Sequence, residues 1–274
     1  MNAAAVGMAG ASFVIVMGSL ARYLSLIPAG KVPVNPTGFA LTLWLGAGTA
    51  AGALVWSYLT GSFWLAFVPS MMALFMSSFF LWVLTQRETP VGDIKVEVGD
   101  HLLPFESRTS EDVPFHSDEL EGKRTLLKFF RGGWCPYCSA ELVRFNAMKS
   151  ELASYGVNVV ALSKDSVEHA AIHKTRDNLD ITLLSDPDLN VIRQYGVEHH
   201  KALNFVTGTL TIGGLPFAFT PSFKAMAIPT TLLVDEKGDI QWIDQSEDYR
   251  LRSDSESVLA EVKKAFAKTA DNAE

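Results

Sequence analysis

The sequence predicts an α/β sandwich built on a mixed sheet, preceded by three membrane-spanning helices. Three observations carry that prediction. Residues 1–86 hold no Asp or Glu, and Arg22 and Lys31 are their only charges. Beyond residue 98, short apolar runs alternate with helix-period segments and finish in a hairpin and a helix. The chain has two cysteines, Cys135 and Cys138, placed three apart where an apolar run gives way to a helical one.

The first 86 residues carry +2 of a chain total of −7, which leaves −9 for residues 87–274. An acidic second part with no basic cluster excludes nucleic acid as an expected partner. Apolar stretches at about 3–27, 38–59 and 62–85 are each long enough to cross a hydrocarbon core, which takes about 20 helical residues. Four of the six tryptophans, Trp44, Trp56, Trp64 and Trp82, fall there. Trp56, Tyr58, Phe63 and Trp64 flank the Thr60-Gly61 turn, as rings at a headgroup boundary do. Pro69 within the third stretch is tolerated in a membrane helix. Three crossings put Arg22, Lys31, Arg87 and Lys95 on one side and no Lys or Arg on the other. The positive-inside tendency then places the C-terminal part in the cytoplasm.

Residues 87–97 read as a linker, polar and containing Pro90 and Gly92. A redox domain is expected over 98–270. Its first clear strand is 126–130, an apolar run that ends at Gly132-Gly133. Pro136 suits the first turn of a helix, and Leu142, Phe145, Met148 and Leu152 recur at helical spacing up to Tyr155-Gly156. A strand at 157–162, a polar helix at 167–176, a strand at 181–184 and a helix at 189–195 follow. After a Gly-, Phe- and Pro-containing insertion at about 203–226 come a strand at 230–234, a turn at 236–239 and its hairpin partner at 240–243. An amphipathic helix at about 255–267 closes the domain.

The strand–Cys-Pro-Tyr-Cys–helix arrangement is a redox motif. Unpaired amides and partial positive charge at a helix N-terminus favour thiolate. Cys135, at the helix start, is therefore expected to be the more exposed sulfur, with a lowered pKa, and to act as nucleophile. Arg131 adds to that effect if it turns inward. Cys138, one turn along, resolves the intermediate. Trp134, Pro136 and Tyr137 complete the local site. The competing reading is half of a structural zinc site, which needs four N/S ligands. The adjacent His199 and His200 point in different directions and do not easily complete one. No metal or cofactor is expected, and His101, His116, His169 and His173 are placed on solvated surfaces. A second site is Ile228-Pro229-Thr230, directly before a strand, where an X-Pro bond tolerates the cis form and a proline also starts a strand acceptably.

On these residues the domain resembles the redoxin group of the thioredoxin superfamily, which includes the peroxiredoxins (alkyl hydroperoxide reductase/thiol-specific antioxidant proteins). Val98-Gly99-Asp100 through Pro104-Phe105 and Leu120-Glu121-Gly122-Lys123 resemble the redoxin's opening strands. Phe130 to Cys138 resembles the active-site segment of the peroxiredoxin-like branch, and Leu184-Ser185-Asp186-Pro187-Asp188 with Tyr195-Gly196-Val197 its middle region. Pro229 to Asp235 is similar to the cis-proline strand of thiol-disulfide reductases, and Asp248-Tyr249-Arg250 with Arg252 also fits the peroxiredoxin-like branch. The resemblance implies a thioredoxin-like fold. Three positions depart from the relatives. Gly132 stands where peroxiredoxins place Thr or Ser, three residues before the attacking cysteine. Pro229 stands where they carry an arginine, and Phe129 stands where thioredoxins carry a buried acid.

These readings lead to a membrane-anchored thiol-disulfide oxidoreductase, with Cys135 attacking, Cys138 resolving and Pro229 shaping the substrate groove. The Cys-Pro-Tyr-Cys tetrapeptide resembles that of glutaredoxins, which implies a potential of roughly −200 to −230 mV. The alternative is a thiol peroxidase reducing hydrogen peroxide or alkyl hydroperoxides through a sulfenate. A non-enzymatic redox sensor is the third reading. Expected partners are protein or small-molecule disulfides or hydroperoxides, a thiol electron donor and the membrane.

Overall fold

A computed structural model describes residues 2–205, 211–212, 215–216 and 221–266. The chain divides into two units, Met1–Arg87 and Glu88–Glu274.

The first unit is three helices, α1 (Ala3–Ser25), α2 (Thr37–Leu59) and α3 (Phe63–Thr85), each long and apolar enough to cross a membrane. Asn2 caps α1, its side chain accepting from the Ala4 and Ala5 amides at 3.1 and 3.4 Å. The helices meet through small side chains: Ala5, Ala9 and Ser12 of α1, Ala50, Ala53 and Ser57 of α2, and Ala66, Ser70, Ala73 and Ser77 of α3 are buried. Large apolar residues point outward instead, among them Trp44, Trp64 and Phe75. A water-soluble bundle has the opposite distribution; close backbone approach through small residues is how helices associate in lipid.

The second unit holds a seven-stranded sheet in the order β11-β10-β3-β4-β5-β1-β2. Its strands are β1 (Glu106–Thr109), β2 (Pro114–His116), β3 (Arg124–Phe129), β4 (Val157–Ser163), β5 (Thr182–Ser185), β10 (Thr230–Val234) and β11 (Ile240–Gln245). Strands β3, β4 and β5 are parallel, and the other neighbours in the sheet pair antiparallel. Among the described residues five α-helices accompany it: α4 (Pro136–Ala147), α5 (Lys149–Ser154), which continues it, α6 (Val167–Arg176), α7 (Asn190–Gln194) and α8 (Ser255–Phe266). Two short ladders stand apart: β6 (Glu198–Phe205) pairs with β9 (Pro221–Ala227), and β7 (Thr211–Ile212) with β8 (Leu215–Pro216). The insertion expected from composition alone thus begins inside a strand. Its residues 206–210, 213–214 and 217–220 lie outside the described residues, as do residues 267–270 of the expected domain.

Alternation along β3 sorts the core. Leu126 and Phe130 join Leu142, Phe145 and Leu152 of α4 and α5, and Val258, Val262 and Phe266 of α8, on one face. Leu127 and Phe129 join Ile192, Tyr195, Leu232 and Val234 on the other. Lys128 shares the first face by the same period, and it is fully buried. The expected linker, residues 87–97, packs on this unit from Glu88 onward. Thr89 N donates to Glu247 O at 3.0 Å, Lys95 N donates to Tyr195 O at 3.0 Å, and Val96 is buried. Its polar composition concealed a run of backbone pairing.

Candidate active site

The site is built where β3 ends. Arg131 leaves the strand, Gly132 takes φ +141°, and Gly133 and Trp134 lead into Cys135, the N-cap of α4, with Pro136 as the first helical residue. The positive φ at Gly132 is open to glycine at no steric cost. A Cβ there would also come within 2.7 Å of the Asp165 carboxylate and the Trp134 ring nitrogen. Gly133 N donates to Asp165 Oδ2 at 2.7 Å. A Cβ on Gly133 would lie 2.6 Å from the His173 ring. His173 was expected on a solvated surface and is instead 1% exposed. Its Nε2 lies 3.1 Å from Asp177 Oδ2 and 3.2 Å from Ser139 Oγ. The period of α6 turns it inward together with Ala170, behind the loop.

Both sulfurs are free and buried, Cys135 at 1% and Cys138 at 0% exposure. Cys135, expected to be the more exposed sulfur, is buried almost as fully as Cys138. Burial pushes Cys135 well above the usual thiol range, its hydrogen bond to Cys138 adds to that, and the charges of Arg131 and Arg252 only partly oppose it. Burial also acts to raise Cys138. There the hydrogen bond from Cys135, the Arg252 charge and the Arg131 backbone amide outweigh it and bring the thiol down to about 5, against the opposing Glu141 charge.

Arg252 Nη2 donates to Cys138 Sγ at 3.3 Å, and its Nε donates to Glu141 Oε2 at 2.8 Å. Glu141 Oε1 lies 2.8 Å from Lys128 Nζ, which donates to Thr231 Oγ1 at 2.9 Å. Burial alone would raise Glu141, but the charges of Lys128 and Arg252 hold it below the usual carboxylate range. Lys128 and Glu141 were assigned no role from sequence, and Arg252 entered only as part of a segment that fits the peroxiredoxin-like branch. The available signal was a lone charge inside the apolar run Leu126–Phe130, and an acid three residues past Cys138 on the buried face of α4.

Arg131 does turn inward and is buried. Its guanidinium lies 4.0 Å from the Tyr249 ring centroid and 5.1 Å from that of Trp134. Its Nε meets Met226 Sδ at 3.1 Å, and its Nη2 donates to Leu203 O. Tyr137 packs edge-on against Tyr249 with ring centroids 5.8 Å apart, and Trp134 faces Phe205 at 6.1 Å. The pairing of Thr230 with Phe129 places Ile228, Pro229 and Thr230 beside the end of β3 from which the cysteine loop departs. No described peptide bond is cis, so Pro229 is trans and stands directly before β10, as a strand-start proline does. Ile228 N donates to Val197 O at 2.7 Å and Pro229 O accepts from Ser246 N at 2.9 Å, holding the segment on both sides.

A mixed sheet with a strand–Cys-x-x-Cys–helix junction at its centre is a thioredoxin-like fold, and the protein is of the oxidoreductase class. Residues 98–243 match the AhpC/TSA family, and the chain belongs to that family. It is 34% identical over 147 residues to the bcp protein of Coxiella burnetii, covering 54% of this chain and 87% of that one. It is 27% identical over 107 residues to Peroxiredoxin Bcp of Escherichia coli K12, covering 39% of this chain and 69% of that one. Among solved structures, Peroxidoxin BcpB from Mycobacterium tuberculosis aligns at 21% identity with a TM-score of 0.46, over 65% of this chain and 99% of that one.

Proposed function

We propose that the chain is a membrane-anchored thiol peroxidase. The Cys135–Cys138 pair reduces hydrogen peroxide or an alkyl hydroperoxide, and a thiol donor restores the dithiol. The observation that carries this reading is a fully buried sulfur pair with a buried arginine on one sulfur, in a chain of the AhpC/TSA family. An attacking thiolate must be formed and held without water, and a cation in a dry site does this strongly. Gly132 and Pro229 do not supply the hydroxyl and the arginine found at those positions in relatives; Arg252, arriving from the segment before α8, supplies a cation instead. Thiol-disulfide exchange with a protein fits less well. The partner's sulfur must come into line with the attacking sulfur while carrying a chain on each side, and this pair is closed to such bulk. A hydroperoxide presents one small terminal oxygen.

The three apolar helices support integral anchoring. The lysine and arginine asymmetry supports a cytoplasmic position for the oxidoreductase unit. The test is turnover by the full chain in detergent micelles with dithiothreitol as donor. Peroxide-dependent consumption that needs both cysteines is expected; turnover with a disulfide but not with peroxide would return the assignment to disulfide exchange.

A further inference from the structure

The β6–β9 ribbon packs on the cysteine loop and at the same time exposes positive charge to solvent. Its inward contacts belong to the site: Arg131 donates to the Leu203 carbonyl and meets Met226 Sδ, and Trp134 faces Phe205. The register sets Ala202 opposite Lys224, which brings Lys201 and Lys224 to neighbouring positions on the two strands. Both lysines are exposed, and Phe223 is 52% exposed. Lys164 approaches the same strand, its Nζ donating to the Ala225 carbonyl at 3.0 Å. Burial first, and then the Lys224 charge, hold this ammonium below the usual lysine range, with Asp165 acting the other way. From His199 to Val234 the sequence contains no Asp or Glu, and Lys201 and Lys224 are its only charges apart from histidine, although residues 87–274 carry −9. Glu198, the acid just before this run, is held by Arg193 at 3.1 Å and lies 3.3 Å from His200. Lysines beside an exposed aromatic ring suit a lipid–water interface, where the charges meet anionic headgroups and the ring enters the boundary. Only Gln86 and Arg87 separate the end of α3 from Glu88, which pairs with Asp248, so inserted helices keep this unit within reach of a bilayer.

We propose that Lys201, Phe223 and Lys224 form a docking surface for an anionic lipid bilayer, the lysines binding its headgroups and the Phe223 ring seated at the headgroup boundary. Resting on the peroxidase reading, docking brings the dithiol to hydroperoxides carried on phospholipid acyl chains. Each turnover then converts one such hydroperoxide to the lipid alcohol and water, and the dithiol to its disulfide, two electrons passing from sulfur to oxygen. The docking itself needs no redox step.

The test uses the full chain in phosphatidylcholine nanodiscs with and without phosphatidylglycerol. Hydrogen exchange at the β6 and β9 amides should slow by at least about fivefold when phosphatidylglycerol is present, the factor that one lysine at an anionic surface contributes. Exchange in β3, β4 and β5 should not change. Lys201→Glu with Lys224→Glu should abolish the difference and keep the β3–β5 protection, and Lys201→Arg with Lys224→Arg should retain it. On a phospholipid hydroperoxide in the anionic nanodiscs the double Glu variant should slow by at least about fivefold, with hydrogen peroxide turnover within about twofold of the parent chain. Ribbon exchange that is the same on both lipids would overturn the docking surface. Equal slowing on the two peroxides would overturn the link to a lipid substrate. A parent chain that reduces neither peroxide would overturn the peroxidase reading, and the exchange measurement alone would then decide the docking.

Discussion

Lys128 Nζ and Glu141 Oε1 lie 2.8 Å apart with both side chains buried, one from the central strand and one from the helix that carries the cysteines. Removing one partner of such a pair leaves an incompletely matched charge in a dry core. Lys128→Met should therefore cost about 3 kcal/mol, lowering Tm by about 6–12 °C for a unit of this size. The half-exposed Lys174–Glu111 pair is the control; Lys174→Met should cost less than about 1 kcal/mol. Equal effects in thermal melts would show that the buried pair contributes no more than a surface one.

The lowered Cys138 thiol makes stability depend on redox state and pH together. A depressed folded-state value contributes stability that is fully present above the unfolded thiol value of about 8.5 and is lost as pH falls through about 5. The raised Cys135 thiol acts in the opposite sense, weakening the reduced form as pH rises above the ordinary thiol range. The disulfide form has neither contribution. From pH 8 down to pH 5, the Tm of the reduced chain should fall relative to that of the oxidised chain. Parallel curves over that range would mean that Cys138 titrates as an ordinary thiol.

Gly133 and His173 occupy adjoining space, so Gly133→Ala forces the ring or the loop to shift. Overpacking of this kind costs about 1–3 kcal/mol. His173→Ala vacates the room, and the double variant should lose less than the sum of the two single losses. Additive losses would show that the two residues do not share the strain.

Three apolar helices with outward-facing tryptophans predict an integral protein. Alkaline carbonate should leave the full chain in the membrane pellet, and only detergent should release it. Release by carbonate would mean that the helices do not span a bilayer.

Much of the fold was legible because its strands and helices follow clean periods. The run 126–130 and the strand at 230–234 announce themselves as short apolar or β-branched runs, and the helix at about 255–267 by helical spacing. The β1–β2 pair went unread: the stretches that resemble the redoxin's opening strands, 98–105 and 120–123, flank it, and Glu106–Thr109 is polar and half-exposed. Within the site, two cysteines three apart named themselves. The groups that set their charge did not, because Arg252, which stood out through resemblance alone, comes from 114 residues downstream of Cys138. Spacing within a motif cannot register such a partner. His173 misled for a related reason: in a mostly polar helix, one inward-facing imidazole looks like its solvated neighbours.

The central claim is peroxide reduction by a buried dithiol, and stopped-flow tests it most directly. The reduced full chain is mixed in micelles with stoichiometric hydrogen peroxide, and separately with a small disulfide, while Trp134 fluorescence is followed and mass spectrometry tracks the Cys135–Cys138 bond. The account predicts a peroxide reaction orders of magnitude faster than that of a free thiolate, ending in the intramolecular disulfide. A slow peroxide reaction beside rapid disulfide exchange would contradict it.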